Sequence, residues 1–239
     1  MHGTASAARN QSGASTPRSL VETLAVAVQA VVFDLGETLV DESRAWTAWA
    51  DWLGVRPFDL FAALGATIER RQDHRESLAL VKPGLDFPRE RAAEEAQGTP
   101  WGFDASDLYP DAIPCREQLR AAGLRIGVVG NQPAVVESMV PELHGLVDVV
   151  GSSGRWGVEK PDRAFFERVV AEVELEPGAI AYVGDRLDND VLPAMALGLV
   201  GVFVVRGPWG LVQRTWPEAV RPDLTVHHLH GLARALAVR

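Results

Sequence analysis

The sequence predicts an α/β protein: a doubly wound parallel sheet with helices on both faces, carrying an inserted block of helices. Three observations predict it. Short apolar runs without a polar break, Ala30–Phe33 and Leu124–Val129 among them, read as strands buried on both faces. These runs alternate with segments of helical periodicity, the pattern of βαβ units. The alternation fails once, from residue 43 to about 107, where every pattern is helical.

Taken in order, residues 1 to about 19 are mostly Ser, Ala, Gly, Thr and Asn with little to bury, which predicts a disordered tail. Leu20–Val28 reads as a short helical lead-in. With Arg9 and Arg18 upstream and Ala25-Val26-Ala27 as an imitation cleavage site, Leu20–Phe33 faintly imitates a secretory signal. Glu22, Thr23 and Gln29 interrupt it, and its apolar end is the first strand, Ala30–Phe33. In the insertion, Ser43 caps a helix that Gly54 ends, with Trp46, Trp49 and Leu53 on one face. Pro57 opens a second helix, where Phe61, Leu64 and Ile68 repeat that spacing, and helices around His74–Val81 and Pro88–Gln97 follow.

Alternation resumes at Asp111 with a helix that Gly123 closes, then the strand Leu124–Val129 and a helix opened by Pro133. Val147–Val150, Ala179–Val183 and Val200–Val205 are the remaining strands, with helices over Asp162–Glu174 and Asp188–Leu197 between them and Gly198 as a stop. The division is therefore a core of residues 20–42 and 108–239 and a helical unit, 43–107, expected over the strand ends and joined by two linkers.

The 239 residues suffice for a large core, and 47% apolar with 23% charged residues is ordinary for a globular chain. A net charge of −9 argues against nucleic acid or an anionic membrane as the partner. Cys115 is the single cysteine, so no intrachain disulfide forms, and no apolar run is long enough to span a bilayer. The expectation is a cytoplasmic monomer or homodimer.

The longer strands finish in polar signatures: Asp34 after the first, Gly130-Asn131 after the second, Gly184-Asp185 after the fourth. Lys160-Pro161 lies between the third and fourth. Parallel strands bring such ends to one edge of the sheet, where ligands bind. Asp34 alone also reads as a strand-ending turn residue, but the set supports phosphoryl transfer by a carboxylate. Asp34 could attack phosphorus, and Asp185 with Asp34 could hold Mg²⁺. Asn131 and the backbone N–H groups beside Gly130 could bind phosphoryl oxygens, and Lys160 could neutralise their charge.

Phe33-Asp34-Leu35-Gly36-Glu37-Thr38-Leu39-Val40-Asp41, Gly130-Asn131, Lys160-Pro161 and Gly184-Asp185 through Asn189-Asp190 resemble the haloacid dehalogenase superfamily, over roughly residues 30–210. Its members are mostly Mg²⁺-dependent phosphatases with a Rossmann-like core. The resemblance implies that Asp34 is the nucleophile and Asp185 a metal ligand. It also implies that the Gly36 carbonyl is a further ligand, Asp190 a second acid near the metal, and the insertion a mobile cap. The sequence departs from that pattern twice. Gly36 stands where the superfamily's phosphatases usually carry a general acid/base Asp, and Gly130 where they usually carry Ser or Thr. Glu37 is the obvious replacement acid, although it should point elsewhere, and Gly36→Asp should raise turnover of alkyl phosphates. The expected activity is hydrolysis of a small phosphorylated metabolite through an aspartyl-phosphate. Its rivals are a metal-free haloacid dehalogenase and a catalytically weak phosphate-binding or interaction protein.

Other residues read as structural. Trp46 and Trp49 should pack between helices. His74 and Lys82 are solvated loop residues, Asp188 caps the helix it precedes, and Cys115 is inert. His227, His228 and His230 sit in a strand-to-helix connection without a strand-end carboxylate nearby. Asp41 and Glu42 belong to the exposed end of a hairpin or a helix start and carry no catalytic role.

Overall fold

A computed structural model describes residues 27–96, 103–138 and 147–237. The expected tail and most of the expected lead-in helix lie outside these residues; Ala27–Gln29 enter the first strand without helical structure. Six parallel strands, β1 (Ala30–Phe33), β2 (Arg125–Gly130), β3 (Val149–Ser152), β4 (Ile180–Gly184), β5 (Val200–Val204) and β6 (Leu224–Val226), run in the order β3-β2-β1-β4-β5-β6. β1 is central, with Ala30 paired to Arg125 on one side and Ile180 on the other. Strand order reverses there, which opens a crevice at the carboxyl ends of β1, β2 and β4.

Period-two alternation sends successive β1 residues to opposite cores. Val31 and Phe33 pack with Leu119 of helix α5 (Ala112–Ala121) and with Leu232. Ala30 and Val32 pack with Phe165, Phe166 and Val169 of the helix Arg163–Val173 on the other face. The double covering is why these strands carry almost no polar residues.

Several element boundaries differ from expectation. β3 starts at Val149 and reaches Ser152, and β6 is a sixth, edge strand of three residues, too short to signal itself in the sequence. Pro133 is followed by a 3₁₀ segment, Ala134–Ser138, rather than an α-helical turn; residues 139–146 lie outside the described ones. The helix expected from Asp188 opens instead as a π-helical turn, Leu187–Val191, before α-helical Leu192–Ala196. Pro193 supplies no N–H to the preceding turn, and wide turns of this kind recur at functional sites.

The insertion contains α1 (Ser43–Leu53), α2 (Pro57–Glu69), α3 (Arg75–Val81) and α4 (Phe87–Ala96). Gly54, at φ 68°, closes α1 in the left-handed conformation that a glycine adopts without strain. α1 buries Trp46, Trp49 and Leu53 as expected, whereas α2 buries Leu60, Leu64 and Ile68. Phe61 is 37% exposed, so the buried stripe runs in steps of four and the expected i, i+3 step fails at its first residue. The apolar cluster of these helices is completed by Trp209, from the helix Gly207–Gln213, and by Trp216. The insertion thus shares its core with the segment after β5.

Candidate active site

Asp34 leaves β1 with its N–H donating to the Val183 carbonyl at 2.8 Å, which sets its side chain between β2 and β4. The carboxylates of Asp34, Asp185 and Asp190 converge there, with one oxygen of each within 4.8 Å of the others. Lys160, almost fully buried, donates through Nζ to Asp34 Oδ1 at 2.7 Å and to Asp190 Oδ1 at 2.6 Å. The expected quartet of Asp34, Lys160, Asp185 and Asp190 is therefore brought together from segments about 150 residues apart.

Asn131 and Gly130 are at this edge, in roles that geometry defines more narrowly. The Lys160 backbone N–H donates to Asn131 Oδ1 at 2.7 Å, and Asn131 Nδ2 donates to the Lys160 carbonyl at 2.9 Å. The amide of Asn131 is thereby committed to aiming the lysine. A Cβ on Gly130 would lie 2.8 Å from Asp34 Oδ1, so the missing side chain makes room for the carboxylate. Gly36 also lines the cavity above Asp34.

The electrostatics are those of a site built for positive charge. Burial by itself would discharge Lys160, but Asp190 and Asp34 outweigh it and hold the ammonium well above its ordinary pKa. Burial, then Asp190 and Asp34, push Asp185 well above the usual carboxylate range. Burial also raises Asp190, to about 6, against the pull of Lys160. Among the described residues, buried Asp185 Oδ2 finds no hydrogen-bond partner. An orphaned oxygen among mutually repelling carboxylates fits a hard divalent cation, which would satisfy the first and relieve the second.

Above the carboxylates lies a cavity of about 390 Å³, sized for a small metabolite. Trp46, Trp49, Leu78 and Phe87 of the insertion wall its far side, together with Arg75 and Arg91. Helices of the insertion thus line the cavity opposite the strand-end carboxylates.

Four sequence expectations fail around this cavity. Glu42 is 8% exposed and lines it, because the tight turn in which the Val40 N–H donates to the Leu35 carbonyl at 3.0 Å folds the chain back before α1 begins. Burial, and then Glu37 and Asp34, push the Glu42 carboxyl up to about 8. His74 is half-buried instead of solvated, its ring edge-on to Trp46 and Trp209 with centroids 6.1 and 6.2 Å away. Burial lowers its pKa to about 4. Lys82 is no free loop residue: it donates to the Leu53 carbonyl at 3.2 Å and so ties α3 to the end of α1. Asp188 sits inside the π-turn, where Oδ1 accepts from Gln213 Nε2 at 2.9 Å, and does not cap the helix.

Glu37 does point away from Asp34. It sits at φ 51° and is buried, Oε2 accepting from the Tyr109 hydroxyl at 2.6 Å and Oε1 from the Glu42 N–H at 3.0 Å. Burial pushes the Cys115 thiol up to about 12, which leaves it unreactive. His227, His228 and His230 are exposed beyond β6.

Comparison with known proteins is consistent with this geometry. The profile of haloacid dehalogenase-like hydrolases matches residues 28–198. A glyceraldehyde 3-phosphate phosphatase of Methanopyrus kandleri is 36% identical over 202 residues, 76% of this chain and 86% of the relative. One from Methanocaldococcus jannaschii is 32% identical over 127 residues, 52% of this chain and 54% of the relative. A solved haloacid dehalogenase-like hydrolase of Bacteroides fragilis shares the fold at a TM-score of 0.63, with 20% identity and 86% and 99% of the two chains covered.

Proposed function

The chain belongs to the haloacid dehalogenase-like hydrolase family, and from that premise we propose that it is a Mg²⁺-dependent phosphatase of a small phosphorylated metabolite, working through an aspartyl-phosphate on Asp34. The observation that carries the reading is the Lys160 ammonium shared between Asp34 and Asp190 beside the unpartnered oxygen of Asp185. Asp34, Asp185 and Asp190 would hold Mg²⁺, which when bound supplies charge neutralisation at the phosphoryl oxygens.

The chain's own residues do the rest. Lys160 pairs with Asp34 at 2.7 Å and places a second positive charge beside the group being transferred. Asn131 fixes the lysine's backbone, so the ammonium does not drift from the nucleophile. Asp34 Oδ attacks phosphorus as the ester oxygen departs, and water then cleaves phospho-Asp34 to release inorganic phosphate. The names of the phosphatase relatives support a compact phosphorylated substrate, in keeping with the cavity's volume.

Displacement of halide from a haloacid fits the residues less well. Three buried carboxylates against the single Lys160 ammonium leave a site that calls for a further cation before any anionic substrate enters, and halide displacement uses none. Among the described residues no helix is long and apolar enough to cross a membrane, and we place the protein in the cytoplasm, as a monomer or homodimer. The test is turnover of 4-nitrophenyl phosphate with and without EDTA. Chelation should abolish turnover and Mg²⁺ should restore it. Halide release from a 2-haloacid that persists in EDTA, without phosphatase activity, would overturn the assignment.

A further inference from the structure

We infer that Glu42 is the proton-transferring residue of this site: its carboxyl protonates the departing ester oxygen and then takes a proton from the water that attacks phospho-Asp34. This rests on the phosphatase reading above. Such chemistry needs a group that can give and then take a proton within reach of the reacting oxygens.

The groups facing the cavity can be taken one by one. Asp34 is the nucleophile, and Lys160 and Asp190 are locked in an ion pair at 2.6 Å. Asp185 belongs to the carboxylate cluster that fits a cation. Both Glu37 oxygens already accept, from Tyr109 and from the Glu42 N–H. The His74 ring is wedged edge-on against two tryptophans. Glu42 remains. It is buried at the cavity wall and forms no ion pair with any described residue. Its one side-chain hydrogen bond is a long one, 3.4 Å, from Trp46 Nε1 to Oε2. That leaves Oε1 without a donor among the described residues.

The backbone explains how a residue eight positions from Asp34 comes to line the same cavity. Glu42 Oε1 occupies the place that a Cβ on Gly36 would need. Glycine at 36 is what admits the Glu42 carboxyl, and any side chain there would displace it. Gly36 and Glu42 are therefore complementary, and the site is not short of an acid. Gly36→Asp alone, expected from the sequence to raise turnover, would instead collide with the group already in place.

The proton balance closes over one turnover. Asp34 Oδ forms a bond to phosphorus while the bond to the ester oxygen breaks, and that oxygen takes the Glu42 proton to leave as an alcohol. The Glu42 carboxylate then accepts a proton from water as the water oxygen bonds to phosphorus. The phosphorus–Asp34 bond breaks, inorganic phosphate leaves, and Asp34 and protonated Glu42 are regenerated.

Glu42→Gln keeps the shape and the Trp46 contact but transfers no proton. With an alkyl substrate such as glycerol phosphate, turnover should fall about 10²–10⁴-fold. With 4-nitrophenyl phosphate, whose leaving group departs unprotonated, the burst that forms phospho-Asp34 should persist while its decay slows by a similar factor. Gly36→Asp combined with Glu42→Ala, which moves the carboxyl from one partner to the other, should recover part of the alkyl activity that Glu42→Ala loses. The inference is overturned if wild type is active and Glu42→Gln or Glu42→Ala retains both alkyl turnover and phospho-Asp34 decay. Absence of phospho-Asp34 from wild type overturns the phosphatase reading itself.

Discussion

At the strand ends, Lys160 reaches Asp34 and Asp190 at 2.7 and 2.6 Å, joining the end of β1 to the π-helical turn that follows β4. Across the same cavity, α1–α4 cohere through apolar contacts and close their core with Trp209 and Trp216, which the chain supplies more than 110 residues after α4 ends. One wall is polar, directional and rigid; the other is apolar and depends on a distant segment. Charge-assisted hydrogen bonds at that distance fix atoms for chemistry, whereas apolar packing sets the shape of the space a substrate must fill. The proposed function puts the reaction on the first wall and substrate selection on the second.

Trp209→Ala should break the second wall with the largest effect. Truncating a buried aromatic costs about 3–5 kcal/mol, and Trp209 joins the insertion to the core while also lining the cavity. Denaturant unfolding should register that loss, and KM should rise more than kcat falls. An unchanged KM would place substrate selection elsewhere. Asp185→Ala addresses the first wall. It should lower Mg²⁺ affinity by at least the roughly 10–100-fold that loss of even an outer-shell partner costs. Calorimetry that finds equal affinity in wild type and variant would remove Asp185 from the site.

The two walls also differed in how far the sequence disclosed them. Apolar runs ending in Asp34, Gly130-Asn131 and Gly184-Asp185 marked strands and site together, because parallel topology turns strand ends into neighbours whatever their separation in the chain. Gly54, Gly123 and Gly198 marked helix ends correctly, all three adopting positive φ. The insertion was legible as helices but not as a surface. Nothing local distinguishes Phe61 from Leu60 as the buried residue, since the choice is made by the helix packed opposite. Glu42 read as exposed because a charged residue at a helix start usually is. Its burial follows from the turn at Leu35–Val40 and from the absence of a side chain at Gly36, which is a three-dimensional coincidence.

Glu42 stands where the two walls meet, and its titration gives a smaller, sharper comparison. Its folded pKa of about 8 lies above the ordinary 4.5, so the folded state keeps a proton that the unfolded chain releases between those values. Stability of the metal-free protein should therefore fall as pH rises from about 4.5 to 8, with Glu42 contributing roughly 1.4 kcal/mol per unit at most. Asp190, raised to about 6, adds to the fall over the lower part of that range, and Asp185, held well above the usual carboxylate range, adds to it as well. Glu42→Gln should flatten the profile, leaving a variant that is slower as an enzyme and more stable at pH 8. Thermal melts across the range check this, and a wild-type profile that rises toward pH 8 would contradict the burial of a neutral Glu42.

The central claim, that Asp34 carries the phosphoryl group, is tested most directly by rapid acid quench of the Mg²⁺-loaded enzyme with ³²P-labelled substrate, followed by peptide mapping. Label should appear on the peptide containing Asp34 within one turnover, decay at a rate no slower than kcat, and be absent from Asp34→Asn. Steady-state hydrolysis with no label on Asp34 at any time, or an Asp34→Asn enzyme that turns over like wild type, would contradict it.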